Sequence, residues 1–219
     1  MLGLLGERER SALLRVGIRR RFSRGEVVFH EGDPGDSLHI VTHGAFIART
    51  SSTTGEVIAV NVFGPGDVFG EMVLLNPGAR RSATVVSHGR GATLMIGRGQ
   101  FEALRAGDTN VDRVLLAMLA ERNRALTAQL VELLSTPVEQ RVCRQLLAFS
   151  QAVAATSPEG WVTLNQADLA TLAGTTRSTV NRVLRRAQDR GLIELARGRI
   201  HLVDEPALRV RAQAAARLR

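Results

Sequence analysis

Along the first half of the chain, apolar positions come in short runs broken by glycine. Gly25, Gly32, Gly35, Gly44, Gly55, Gly64, Gly66, Gly70, Gly78, Gly89 and Gly91 separate the β-rich pieces 26–29, 38–41, 57–63 and 83–86. Evenly spaced short strands with turn residues between them predict a small barrel or jelly roll, whose interior can enclose a ligand. Past Phe101 the glycines thin out and the period becomes helical, through Val111, Val114, Leu115, Met118, Leu119, Leu126, Leu130, Leu133 and Leu134. A helix over 111–134 would be a rod of roughly 35 Å. Its stripe runs beside Arg113, Glu121, Arg122 and Glu132, so it can pack on its own barrel and on a second copy of the chain. An ordinary core helix is the alternative.

Ser135-Thr136-Pro137-Val138-Glu139 should end the rod. Proline cannot continue a helix but suits the start of the next, and Thr136 with Glu139 has the spacing of a reciprocal capping box. A hinge and domain boundary is expected there. A second helix follows through Val142, Leu146, Leu147 and Phe149, with Cys143 as a small buried hydrophobe. Further on, Asn165 caps a short helix holding Leu169 and Leu172, Ala173-Gly174-Thr175 turns, and Thr176 caps a helix running to about Ala187. Val180, Val183, Leu184 and Ala187 form its buried face. Arg177, Ser178, Asn181, Arg182 and Arg185 stand opposite. A helix lying in the major groove needs such a stripe, because arginine bonds guanine and asparagine adenine bidentately. A charged solvated face is the alternative. Residues 191–195 and 199–203 flank Arg197-Gly198 as a two-stranded wing.

With 219 residues, 44% hydrophobic and 23% charged, the chain can bury a core, which argues against intrinsic disorder. The longest apolar run, residues 114–120, falls far short of the roughly 18–20 residues a bilayer requires. Met1–Gly6 meets Glu7 and Arg8 before any stretch of signal-peptide length, so a cytoplasmic protein is expected. One cysteine can neither form an internal disulfide nor hold an iron–sulfur cluster. All 29 basic residues are arginine. The absence of lysine excludes a Walker-A phosphate loop and a lysine Schiff base. Residues 1–135 carry 16 arginines against 14 acids, and 136–219 carry 13 against 7. This C-terminal excess of guanidinium favours a phosphate-bearing partner, with a merely solubilising surface as the alternative.

A second constellation runs from Phe69-Gly70-Glu71-Met72 to Arg80-Arg81-Ser82-Ala83. A cyclic phosphodiester with a ribose needs a fixed cation and donors for its phosphate, and an acceptor for the free hydroxyl. Arg81, Ser82 and backbone amides can supply the former and Glu71 the latter. Gly70 permits close backbone approach, and Val60, Val62 and Leu74 are candidate walls. On these residues alone, a surface ion pair between Glu71 and Arg81 is the competing reading.

The run Phe-Gly-Glu, with Arg-Ser-Ala ten residues after the glutamate, resembles the phosphate-binding cassette of the cyclic-AMP receptor protein/FNR family of bacterial transcription regulators. The resemblance extends over residues 25–36, 63–67, the long helix and the helix-turn-helix. It implies an α+β chain that is not an enzyme: a cyclic-nucleotide-binding jelly roll (1–110), a dimerisation helix with hinge (111–135), and a winged helix-turn-helix (136–219). The implied ligand is cyclic AMP or another cyclic nucleotide, with no metal. Gly70, Glu71, Met72, Arg81, Ser82 and Ala83 would hold it, and Thr127 would reach the adenine across the dimer. Thr176, Arg177, Ser178, Asn181, Arg182 and Arg185 would meet double-stranded DNA at a two-fold symmetric site, with RNA polymerase a further partner and no membrane. Leu126 stands where cyclic-AMP-responsive members carry a second hydroxyl, and Ser178 where many carry a glutamate. A regulator with a vestigial pocket, active without nucleotide or answering another effector, is the alternative. His39 and His43 are expected to share a strand face without binding metal.

Overall fold

The structure is a computed structural model and describes residues 14–76, 78–107, 110–154 and 161–213. The reading of Met1–Gly6, and Pro77 within the cassette, lie outside the described residues. The chain divides into two compact units, Met1–Thr50 with Val62–Leu126, and Ser51–Asn61 with Thr127–Arg219.

The strands of the first half are β1 (Ile18–Phe22), β2 (Val27–Phe29), β3 (Ser37–His43), β4 (Phe46–Ser51), β5 (Val57–Phe63), β6 (Val68–Phe69), β7 (Thr84–Ser87) and β8 (Gly91–Gly97). They form two four-stranded sheets, ordered β1-β8-β3-β6 and β2-β7-β4-β5. The one-turn helix α1 (Met72–Leu75) follows β6, and α2 (Arg98–Gly107) and α3 (Asn110–Ser135) follow β8. Side chains alternate along a strand, so one strand can serve two cores. From β3, Leu38 and Ile40 join Val68, Leu94, Ile96, Phe101 of α2 and Leu115 of α3. Val41 turns the other way, into a cluster of Phe22, Phe46, Ala48, Phe63, Phe69 and Val85. The expected shared face of His39 and His43 is absent. The β3/β8 register shifts between Val41 and His43, and this bulge leaves His39 buried and His43 exposed.

Helix α3 matches the expected rod to within a residue at each end. Val111, Leu115 and Met118 pack on the first cluster, while Leu116, Leu119, Leu126 and Leu130 stay exposed. Among the described residues, no helix is long and apolar enough to cross a membrane.

The second half contains α4 (Val138–Val153), β9 (Trp161–Val162), α5 (Gln166–Leu172), α6 (Arg177–Asp189), β10 (Ile193–Ala196), β11 (Arg199–Leu202) and α7 (Glu205–Gln213). Thr136 and Glu139 do not form the expected capping box. Pro137 is the N-cap of α4, with no side-chain cap bond. Glu139 instead accepts from Arg190 at 3.3 Å and Arg211 at 2.7 Å. A carboxylate gains more from two guanidinium groups than from one backbone amide. Cys143 is buried as expected, and loss of solvent pushes its thiol pKa up to about 11. The wing is the antiparallel pair β10–β11, to which β9 adds a third strand that the sequence pattern did not signal.

Candidate functional site

The first unit holds a cleft that opens to solvent, lined by Phe29, Ala48, Phe63, Phe69, Gly70, Glu71, Met72, Val73, Arg81, Ser82, Ala83, Val85 and Arg122. Gly70, Glu71, Met72, Arg81, Ser82 and Ala83 are thus brought together. Thr127 is exposed on α3 and does not line the cleft. Val60, Val62 and Leu74 are not its walls. On β5 the alternation places Ala59 and Phe63 inward and leaves Val60 exposed, and Leu74 packs in the Leu38 cluster. Aromatic rings of the other cluster, Phe29, Phe63 and Phe69, wall the site instead.

Gly70 follows β6 with φ +80°, a conformation L side chains rarely adopt, and a Cβ there would lie 2.5 Å from Arg81 Nη1. This close approach is what seats the buried guanidinium. Arg81 Nη1 donates to Ser37 O at 2.7 Å and to Gly70 O at 3.0 Å, and Nη2 to Ser37 Oγ at 3.1 Å. The group lies over the Phe29 ring, 4.0 Å from its centroid. Burial lowers the Arg81 pKa, opposed by the charges of Asp36, Asp33 and Glu71. Its Nε is buried with no hydrogen-bond partner. That Nε lies against Gly35, and the guanidinium as a whole gives the cleft a fixed positive charge to which an anionic oxygen is attracted.

Glu71 does not pair with Arg81. Its carboxylate, 2% exposed as a residue, accepts from Arg122 Nη1 at 3.1 Å. Sequence reasoning placed Arg122 beside the rod's apolar stripe and missed this role. The signal was available: Val111, Leu115, Met118 and Arg122 fall on one helical face, so an arginine stands in register with residues that meet the barrel. His39 lies just behind, stacked on Phe69 with centroids 5.2 Å apart and Nδ1 3.0 Å from Thr93 Oγ1. Burial, reinforced by the positive charge of Arg81, brings its pKa down to about 3. The cleft therefore offers a buried cation, a buried carboxylate, the Ser82 hydroxyl and aromatic walls. These groups fit a cyclic phosphodiester carrying a ribose and a base.

In the second unit, Asn165 Oδ1 accepts from Asp168 N at 2.7 Å, and Thr176 Oγ1 from Thr179 N at 3.3 Å, so both expected caps form. Leu169, Leu172, Val180, Val183, Leu184 and Ala187 are buried as the pattern required. Arg177, Ser178, Arg182 and Arg185 are exposed on α6. Arg177 and Arg182 have no hydrogen-bond or ion-pair partner among the described residues, which leaves their guanidinium forks available. Asn181 is only half-exposed. Its Nδ2 donates to Gln166 Oε1 at 3.3 Å, and its Oδ1 accepts from Arg185 Nε at 3.0 Å, so it tethers Arg185. On the wing, Arg199 lies over Trp161, which stacks on His201. Among the described residues, no group of three or more His, Cys, Asp or Glu could hold a metal ion.

A cleft lined by a buried arginine and a buried glutamate in a jelly roll, followed by a long helix and an arginine-faced winged helix-turn-helix, defines a DNA-binding transcription regulator with a cyclic-nucleotide-binding domain. Comparison with known proteins agrees. The family model "Cyclic nucleotide-binding domain" matches residues 19–108 and "Crp-like helix-turn-helix domain" matches 140–211. The chain is 33% identical over 198 residues to the CRP-like cAMP-activated global transcriptional regulator of Mycobacterium tuberculosis, covering 88% of this chain and 87% of that one. It is 33% identical over 193 residues to the cyclic AMP receptor protein of Thermus thermophilus, covering 87% and 85%. A solved CRP-family transcriptional regulator from Thermus thermophilus superposes with TM-score 0.74 at 25% identity, covering 90% of this chain and 97% of that one. The chain belongs to the CRP/FNR family of transcription regulators. Those relatives are regulators rather than enzymes.

Proposed function

We propose that the chain acts as a homodimer that binds a two-fold symmetric DNA site, and that cyclic AMP bound in the cleft sets its affinity for that site. The buried Arg81 guanidinium that lines the cleft beside Ser82 carries the ligand assignment, because an anionic oxygen would supply its counter-charge. Ser82 and the Ala83 amide would complete the phosphate cradle, Glu71 would take the ribose hydroxyl, and Thr127 would come from the second subunit. The cAMP-responsive relatives support the choice of nucleotide. Residues 1–110 form the sensor, 111–135 the dimerisation helix and hinge, and 136–219 the DNA-binding domain. Thr176, Arg177, Ser178, Arg182 and Arg185 meet DNA directly, and Asn181 acts there while holding Arg185. The resulting complex acts on RNA polymerase.

Dimerisation rests on α3. Leu116, Leu119, Asn123, Leu126 and Leu130 recur at the alternating three- and four-residue spacing of a heptad seam, and the four leucines are uncovered in the single chain. Nucleotide then biases two arrangements of the hinge at 135–137, to the extent that it binds them with different affinity. Calorimetric titration with cyclic AMP and cyclic GMP, beside gel-shift assays on duplex DNA, tests this. Cyclic AMP is expected to release heat, raise the melting temperature and tighten DNA binding, and Arg81→Ala to abolish all three. A second reading has one observation behind it: Arg122 already satisfies Glu71, and carbonyl oxygens already hold Arg81. A pocket so self-paired is stable empty. DNA binding with no heat and no melting shift from either nucleotide selects that reading.

A further inference from the structure

Arg141, in the first turn of α4, spreads its guanidinium over backbone carbonyls of two other segments. Its Nε donates to Ala173 O at 2.9 Å and its Nη2 to Gly174 O at 3.1 Å, where α5 ends. Its Nη1 donates to Thr136 O at 2.7 Å, with Leu133 O at 3.5 Å, where α3 ends. Carbonyls at a helix C-terminus have no amide of their own helix to meet and carry the negative end of the helix dipole. One cation thus caps two helices. Arginine suits the task because its planar fork presents five donors and never loses its charge.

The same two helix ends meet by packing. Gly174 has φ +59°, and a Cβ there would overlap Leu133 Cδ2, so the last turn of α3 rests directly on the turn between α5 and α6. Arg144, one turn along α4, repeats the tie: its Nη1 lies 3.2 Å from Glu132 of α3 while its Nε donates to Ala212 O of α7 at 2.7 Å.

We infer that Arg141 is the positioning residue of the hinge at 135–137. By capping α3 and α5 together it makes the helix-turn-helix follow the end of the long helix, so α6 takes its direction from α3. The geometric part of this inference stands on contacts within the second unit. The consequence for nucleotide control rests on the proposed function.

Spin labels at Ala128→Cys and Arg186→Cys, exposed on α3 and α6, in a Cys143→Ala background of the full chain and diluted into an excess of unlabelled chain so that only distances within one subunit are read, test the geometry without DNA. The parent should show one narrow distance distribution, and Arg141→Met one at least twice as wide. Arg141→Lys should fall between, because it keeps the charge but loses the fork. An unchanged width in Arg141→Met, or in Arg141→Lys if the Met variant does not fold, overturns the inference. In unlabelled protein, Arg141→Met should reduce at least fivefold the ratio of DNA affinities with and without cyclic AMP. The slope of log affinity against log salt should stay at the parent value, since no phosphate contact is removed. A retained ratio overturns Arg141's role in control. A parent chain whose DNA affinity ignores cyclic AMP rejects the proposed control instead, and the label distances still decide Arg141.

Discussion

Arg122 of α3 holds Glu71 at 3.1 Å, with the glutamate side chain 3% and the arginine 39% exposed. A carboxylate this buried is costly once its cation is gone, whereas removing both charges is cheap. Arg122→Met should therefore lower stability by about 1–3 kcal/mol, and adding Glu71→Gln should restore most of it. Urea unfolding of the two single variants and the double variant measures the coupling. Effects that simply add would show that the pair contributes nothing.

Gly70→Ala should be among the most damaging single-methyl changes in the sensor. The new Cβ meets Arg81 Nη1 at 2.5 Å and Ser37 O at 3.2 Å, and the backbone is at φ +80°. Positive φ on a non-glycine residue costs about 1–3 kcal/mol, and the displaced guanidinium should cost nucleotide affinity as well. Thermal unfolding and calorimetry report the two losses separately. Near-normal values in both would mean that the β6–α1 turn relaxes freely and that Arg81 is not seated by it.

Much of the fold was legible in the sequence because it depends on local rules. The caps at Asn165 and Thr176, the buried stripe from Val180 to Ala187 and the long helix each follow from periodicity and side-chain chemistry within one element. What stayed hidden depends on where elements meet. Glu139 has the right spacing for a capping box, yet two arginines far along the chain take its carboxylate. Val60 and Val62 look like pocket walls until the pleat of β5 turns them away. A one-residue bulge separates His39 from His43, and nothing in that short stretch announces it. Arg122 alone among these lay within reach of periodicity, as the charge in register with Val111, Leu115 and Met118.

His39 should make the sensor sensitive to acid. Its pKa is about 3 in the folded chain against 6.5 for the free side chain, because burial and then the charges of Arg81 and Arg20 disfavour the imidazolium, with Asp36 opposing. Between these values the unfolded chain binds a proton that the folded chain refuses. Stability from this group is therefore full above pH 6.5 and falls as the pH drops towards 3, by about 1.4 kcal/mol per pH unit at the steepest. Comparing urea midpoints of the parent and His39→Gln at pH 7, 5.5 and 4 cancels the carboxylates common to both. The parent should lose stability faster than the variant by about one proton's worth of slope, and parallel curves would mean that His39 is protonated without cost.

The seam on α3 can be broken at one position. Leu130 is 58% exposed in the single chain, so Leu130→Glu removes no packing from the subunit itself and should leave its melting behaviour almost unchanged at high dilution. In a dimer the same change sets two carboxylates against each other across the helix pair, where like charges repel and desolvation is costly. Sedimentation should show the parent as a dimer and Leu130→Glu as a monomer at micromolar concentration. Two linked recognition helices bind a symmetric site far more tightly than one, through effective concentration alone. Affinity for a full two-fold site should thus fall at least tenfold, while affinity for an isolated half-site stays at the parent value. Equal loss on both duplexes would place the damage in the DNA-binding domain, and a parent that sediments as a monomer would remove the seam altogether.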